Sequence, residues 1–230
     1  MNIHCLAHVP FEDAANIGVW AADRGHKINY TRFFNGDALP AIDSFDMLAV
    51  MGGLMNIYEH DDYPWLVDEK HFLKQAIDAG KKIIGVCLGA QLIADVLGGK
   101  VTRNPHKEIG WHSISLTDAG RQCPLFKDMP AVLDIFQWHG DTFALPPEAV
   151  LLAENTTCSN QAFLYKNNVL ALQFHMEYSR ESIEKMLTHC ADELVDAPYI
   201  QTPEAIRAGY DKITPATERL YQILDTFTAL

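Results

Sequence analysis

With 230 residues, 48% of them hydrophobic, the chain is long enough to bury the core of one sizeable domain; a formal net charge of −12 with no basic cluster makes a nucleic-acid backbone an unsuitable partner. No run approaches a membrane span, and the start Met1-Asn2-Ile3-His4-Cys5 lacks both the basic and the apolar part of a signal peptide. Five cysteines without a C-x-x-C pair point to free thiols in a reducing cytoplasm, and ten histidines scattered without ligand spacing predict no metal site.

In chain order, the first half alternates strands and helices. Residues 2–9 read as a strand, 14–24 as a helix closed by Gly25, 26–33 as a second strand and 46–51 as a third. A helix over 65–79, closed by Gly80, leads to a strand over 82–86 and a helix from 88 to 97. Glycine-stopped helices between short apolar strands predict a parallel sheet covered on both faces. The second half turns to strands at 111–117, 132–138, 150–154, 162–166 and 169–174, the last two joined through Asn167-Asn168 as a tight hairpin, so the sheet becomes mixed. A helix follows over 179–194 with Ser179 as its N-cap. Two more helical patterns, 203–210 and 216–229, carry an apolar stripe of Leu220, Ile223, Leu224 and Phe227. The chain divides into a main domain over residues 1–195 and a C-terminal helical extension over 196–230. That stripe either covers the chain's own sheet or forms a homodimer contact.

The chemistry is written at Gly85-Val86-Cys87-Leu88-Gly89, between an apolar strand and a helix. Strand, glycine-flanked turn and helix make the geometry of a nucleophile elbow with cysteine in the serine position. Side chains at Gly85 or Gly89 would collide with backbone as the turn tightens, and the free N–H groups of the following helix stabilise a thiolate. The apolar run 169–174 then opens into His175-Met176-Glu177. Residues two apart on an extended strand share a side, so Glu177 can hold one imidazole nitrogen of His175 while the other exchanges a proton with the thiol.

Cys87 within Gly-Val-Cys-Leu-Gly-Ala-Gln, followed 88 residues later by His175-x-Glu177, resembles the class I (triad) glutamine amidotransferases, particularly the stand-alone type similar to GMP synthase. Met51-Gly52-Gly53, Glu108-Ile109-Gly110-Trp111 and Trp138-His139-Gly140-Asp141-Thr142-Phe143 extend the resemblance over roughly residues 1–190. It implies an open, mixed, largely parallel twisted sheet of flavodoxin-like type with helices on both faces. It further implies Cys87, His175 and Glu177 as catalytic residues, Gly53 and Leu88 as N–H donors of an oxyanion hole, and Gly52, Gln91, Trp138, His139 and Gly140 as contacts to the substrate. One departure is Leu54, where the family usually has proline after the glycine pair.

The implied reaction is attack of the Cys87 thiolate on the γ-carboxamide of glutamine, loss of ammonia and hydrolysis of a glutamyl thioester, which needs no cofactor. A γ-glutamyl peptide or amide is the alternative substrate, and a catalytically silent binding or regulatory subunit is the alternative of another class. The chain has no G-x-x-x-x-G-K-S/T pattern, so an ammonia-accepting synthetase would have to be a separate partner.

Overall fold

The computed structural model describes all 230 residues. Strands β1 (Asn2–Ala7), β2 (Lys27–Arg32), β3 (Met47–Val50) and β4 (Lys82–Val86) alternate with helices α1 (Ala15–Asp23), α2 (Trp65–Asp78) and α3 (Leu88–Val96). There follow β5 (Val101–Leu116), the short α4 (Asp118–Gln122), β6 (Val132–Phe143), β7 (Val150–Glu154), β8 (Ala162–Tyr165) and β9 (Val169–Leu172). The chain ends in α5 (Arg180–His189), α6 (Pro203–Ala208) and α7 (Ile213–Ala229).

All nine strands form one sheet in the order β2-β1-β3-β4-β9-β8-β7-β5-β6. The pairings from β2 to β9 are parallel and those from β9 to β6 antiparallel. The α/β class is as expected, but the parallel part is only half of the sheet.

Burial explains the strand sequences. Strand side chains alternate between faces, and in β3 and β4 both faces are dry. Met47, Ala49, Ile84 and Val86 belong to one core, Leu48, Val50 and Ile83 to the other. The first core is closed by Ile17 and Trp20 of α1 and by Leu220, Ile223, Leu224 and Phe227 of α7. The second is closed by Phe72 and Leu73 of α2 with Leu92 and Ile93 of α3. A third, smaller core joins Ile109, Trp111, Phe136 and Trp138 to α5 and α6. The apolar stripe of the C-terminal helix therefore lies on this chain's own sheet beside α1, where Trp20 Nε1 donates to Asp225 at 2.8 Å and Arg24 grips the same carboxylate.

Three expectations need correcting. β5 begins at Val101, ten residues before the strand read from the sequence, because Thr-Arg-Asn-Pro-His-Lys-Glu has no apolar alternation and is held as a strand by pairing with the far end of β6. The helix from Ser179 has its predicted N-cap, completed by a capping box with Ser182, but stops at His189 rather than Leu194. In the β8–β9 hairpin the positive-φ residues are Lys166 and Asn167, so the turn is centred one residue earlier than Asn167-Asn168.

Candidate active site

Loops at the carboxyl ends of β1, β3, β4 and β9 meet in a cavity of about 180 Å³, in the crevice where open α/β sheets bind ligands. Its wall includes Gly53, Cys87, Leu88, Gln91, His139 and His175.

Cys87 sits between β4 and α3 at φ 53° and ψ −107°, a left-handed strained conformation for a non-glycine residue. The turn is tight for the reason the glycines suggested. A Cβ on Gly85 would lie 2.7 Å from the carbonyl carbon and oxygen of Gly89, and one on Gly89 would overlap the Val50 carbonyl on the neighbouring strand. The thiol is 8% exposed, facing the cavity, with Sγ 3.5 Å from the Trp138 carbonyl oxygen. The other four thiols do not open onto the cavity, and burial pushes all of them up, Cys190 to about 12.

His175 and Glu177 are buried side by side just past β9, and Met176 between them turns into the first core. The His175 Nδ1–H donates to Glu177 Oε1 at 2.7 Å, a short charge-assisted contact that fixes the tautomer and leaves Nε2 free of other partners. Burial alone would lower the imidazole pKa. The Glu177 carboxylate and the neighbouring Cys87 outweigh it, so the pKa stands well above the ordinary 6.5. Tyr178 stacks on the ring, with centroids 4.1 Å apart and planes 22° apart, which holds it flat.

Gly52 and Gly53 follow β3, which runs parallel to β4 and next to it. The Gly53 N–H has no acceptor, and the Leu88 N–H opens α3 ahead of the helical hydrogen-bond ladder. Gln91, one turn into α3, is tied by its Nε2 to Gln173 Oε1 at 3.2 Å and to the Asp141 carbonyl at 3.4 Å, so it braces the wall between two strands.

The strand read over 132–138 continues to Phe143, so Trp138, His139 and Gly140 lie inside β6. His139 donates from Nδ1 to the Asp141 carbonyl at 3.0 Å, and its Nε2 is 3.2 Å from Glu108 Oε2 on the paired strand. Glu108, His139 and Cys158 come together closely enough to suggest metal ligands. Both Glu108 oxygens already accept hydrogen bonds, from Asn155 at 2.7 Å and Gln161 at 2.9 Å, which reads as a brace for β6.

The sequence reading missed several wall residues. Glu12 comes from the loop after β1 and is buried, accepting from Tyr178 Oη at 2.9 Å. Burial raises its pKa, against the pull of His175 and Tyr178. Arg103 and Lys107 from the unrecognised start of β5 bring the wall's two cations, and Lys107 pairs with Glu193 at 2.6 Å while Trp138 Nε1 donates to the same carboxylate at 3.1 Å. Glu12 could have been singled out as an acid in the first loop at the carboxyl end of the sheet. Arg103 and Lys107 carried no local signal.

The profile of the family described as glutamine amidotransferase class-I matches residues 20–193, across the elbow and the His-x-Glu pair. The chain belongs to the class I glutamine amidotransferases. It is 37% identical to the glutamine amidotransferase-like protein YfeJ of Salmonella typhimurium over 236 residues, covering 99% of this chain and 98% of that one. It is 31% identical to gamma-glutamyl peptidase 5 of Arabidopsis thaliana over 64% of this chain and 59% of that one. The crystal structure of a glutamine amidotransferase from Methylobacillus flagellatus superposes with a TM-score of 0.93 at 26% identity, covering 99% of this chain and 94% of that one. The amidotransferase profile stops near α5, whereas the full-length matches continue through α6 and α7.

Proposed function

We propose that this protein is a cysteine-dependent amidase that hydrolyses the γ-carboxamide of glutamine to glutamate and ammonia. The observation that carries the reading is the Cys87 elbow facing an imidazole whose free Nε2 is defined by the 2.7 Å bond from Nδ1 to Glu177.

In this reading Cys87, His175 and Glu177 are the catalytic residues. His175 Nε2 takes the thiol proton, and the thiolate attacks the γ-carbonyl carbon. The oxyanion is met by the N–H groups of Gly53 and Leu88. The imidazolium returns its proton to the amide nitrogen, ammonia leaves, and a γ-glutamyl thioester remains on Cys87. Water gives a proton to His175 and attacks the thioester; collapse of the second intermediate releases glutamate and restores the thiol. Gln91 and the backbone of Trp138, His139 and Gly140 hold the glutamyl part, with Gly52 one residue behind the wall formed by Gly53. The unit that does this is the domain over residues 1–195, working in the cytoplasm, with 196–230 as its packed C-terminal extension.

A second reading, hydrolysis of a γ-glutamyl peptide or amide, is favoured by the resemblance to a γ-glutamyl peptidase and by Arg103 and Lys107 in the wall, which suit a carboxylate beyond the scissile bond. Ammonia or amine release from glutamine and from a panel of γ-glutamyl amides and peptides, with and without cell extract, separates the outcomes. Fastest release from glutamine supports the first reading and fastest release from a peptide the second. Activation by extract supports a synthetase partner, and no turnover under any condition refutes the amidase function in favour of a silent binding subunit.

A further inference from the structure

We propose that His8 is a positioning residue for the oxyanion site, holding the Gly52 carbonyl so that the Gly53 N–H stays aimed at the developing oxyanion. The assignment rests on the amidase reading and extends it to a side chain on β1's outgoing loop that touches no reacting atom.

His8 is 2% exposed and has one job available to it. Its Nδ1 lies 2.8 Å from the Gly52 carbonyl oxygen, which can only accept, so Nδ1 carries the hydrogen. Its Nε2 lies 2.9 Å from Glu69 Oε1, a carboxylate on α2 with no solvent exposure. The ring lies beside Phe33, at 5.6 Å and 9°, and Trp65, at 5.5 Å and 20°, which stack on each other at 4.6 Å. Burial by itself would lower the imidazole pKa; Glu69, the Gly52 carbonyl and Glu12 together raise it.

The consequence falls on the next peptide group. All peptide bonds are trans, so the Gly52–Gly53 unit sends its N–H opposite to its C=O. With the carbonyl tied back to His8, the Gly53 N–H points the other way, unpaired, on a residue that lines the cavity with Cys87 and Leu88. A Cβ on Gly53 would come 2.8 Å from Leu88 Cδ2, which shows how closely this loop approaches the start of α3. A peptide between two glycines flips at little steric cost, and Leu54 follows in place of a ring-locked proline. A flipped peptide would present an oxygen to the oxyanion. The buried donor on His8 is the feature that opposes that flip.

The test uses His8→Asn, whose side-chain N–H lies where Nδ1–H was, against His8→Leu, which removes the donor. For each, kcat and KM are measured with the γ-glutamyl amide the wild type hydrolyses best, together with the inhibition constant of the γ-aldehyde of glutamate, whose thiohemiacetal on Cys87 places an oxygen in the same site. His8→Leu is expected to lose about 100- to 1000-fold in kcat, the cost of one oxyanion donor. KM should stay within about threefold and aldehyde affinity should fall in step with kcat. His8→Asn should recover most of both. Equal losses in the two variants, matched by equal losses of melting temperature, overturn the assignment and leave His8 a structural residue, as does a fully active His8→Leu. A wild type that neither hydrolyses any amide nor binds the aldehyde refutes the amidase reading itself.

Independently, the geometry points to Glu12 as an acceptor for the N–H of the leaving amine. It is 8% exposed and lines the cavity; Oε2 accepts from Tyr178, and Oε1 has no partner. A Cβ on Gly52 would lie 2.5 Å from Glu12 Oε2 and 3.5 Å from His175 Cε1, so the carboxylate and the imidazole edge share one corner. Cε1 lies between the two ring nitrogens, one of which, Nε2, protonates the leaving nitrogen; Tyr178 holds Oε2, so Oε1 of the same carboxylate is the acceptor left for a nitrogen that carries hydrogens. Glu12→Gln, with its carbonyl taken by Tyr178, presents an NH₂ instead. It is expected to lose at least about tenfold in kcat/KM on the amide and under threefold on the γ-methyl ester of glutamate, whose leaving group has no N–H. Equal losses on amide and ester overturn this assignment and make Glu12 a residue that acts through His175.

Discussion

Replacing Glu177 with Gln changes one buried atom pair and nothing in the shape of the site. In the wild type the Nδ1–H of His175 meets a carboxylate at 2.7 Å, with both side chains almost fully buried. A hydrogen bond to a charged group contributes about 1.5–3 kcal/mol, most of which is lost when the acceptor becomes neutral. At about 1.4 kcal/mol per tenfold in rate, that is roughly a 10- to 150-fold loss in kcat/KM. Should the amide also turn its NH₂ toward Nδ1, the tautomer inverts and the loss grows toward about 10⁴-fold. Removing the carboxylate also leaves burial to depress the imidazole pKa, so thioester formation should need a higher thiol ionisation and the rate profile should change shape. The sign for stability follows from the raised pKa. The proton on His175 stabilises the fold in full below its unfolded value near 6.5, and that contribution is lost as pH rises through the folded pKa. Melting curves of wild type and Glu177→Gln should therefore differ most at low pH and converge at high pH. Coupled ammonia release across pH, with alkylation of Cys87 followed by mass spectrometry, supplies the rates. A variant within threefold of wild type in both would refute the assignment of Glu177 as the group that orients and charges His175.

A glutamine-like diazoketone should modify Cys87 alone, because the other four thiols are pushed up by burial and lie outside the cavity; mass spectrometry finding Cys5, Cys123, Cys158 or Cys190 as the main adduct would contradict this. Gly89→Ala forces a methyl onto the Val50 carbonyl and should cost about 1–3 kcal/mol in denaturant unfolding together with most of the activity, since the elbow itself must shift. Phe227→Ala should cost about 3–5 kcal/mol, as its ring is fully buried against the sheet, and an unchanged midpoint would mean that α7 is not part of the core. Replacing Arg24 with Gln breaks the exposed pair with Asp225, whose side chains are 43% and 42% exposed, but leaves Trp20 its acceptor, so the unfolding midpoint at moderate salt should be nearly unchanged.

Cys87, His175 and Glu177 were legible because each belongs to a local pattern. The elbow is five consecutive residues at a strand–helix junction, and His-x-Glu uses the two-residue period of extended chain, so no long-range pairing is needed to recognise either. The central strands were legible for a related reason: β3 and β4 are dry on both faces, and a continuous apolar run says so. The first half of β5 was not, because Val101 to Lys107 owes its extended form to β6 rather than to its own alternation, and Arg103 and Lys107 went unseen with it. His8 and Glu12 lie more than 160 residues from His175, and in sequence they are an ordinary histidine and glutamate near a proline. Only the sheet order, which sets β1 beside β3 and β9 beside β4, brings the loop after β1 onto the Gly52–Gly53 peptide and the edge of the imidazole. Local pattern picked out Cys87, His175 and Glu177; strand pairing across the sheet chose the groups packed around them.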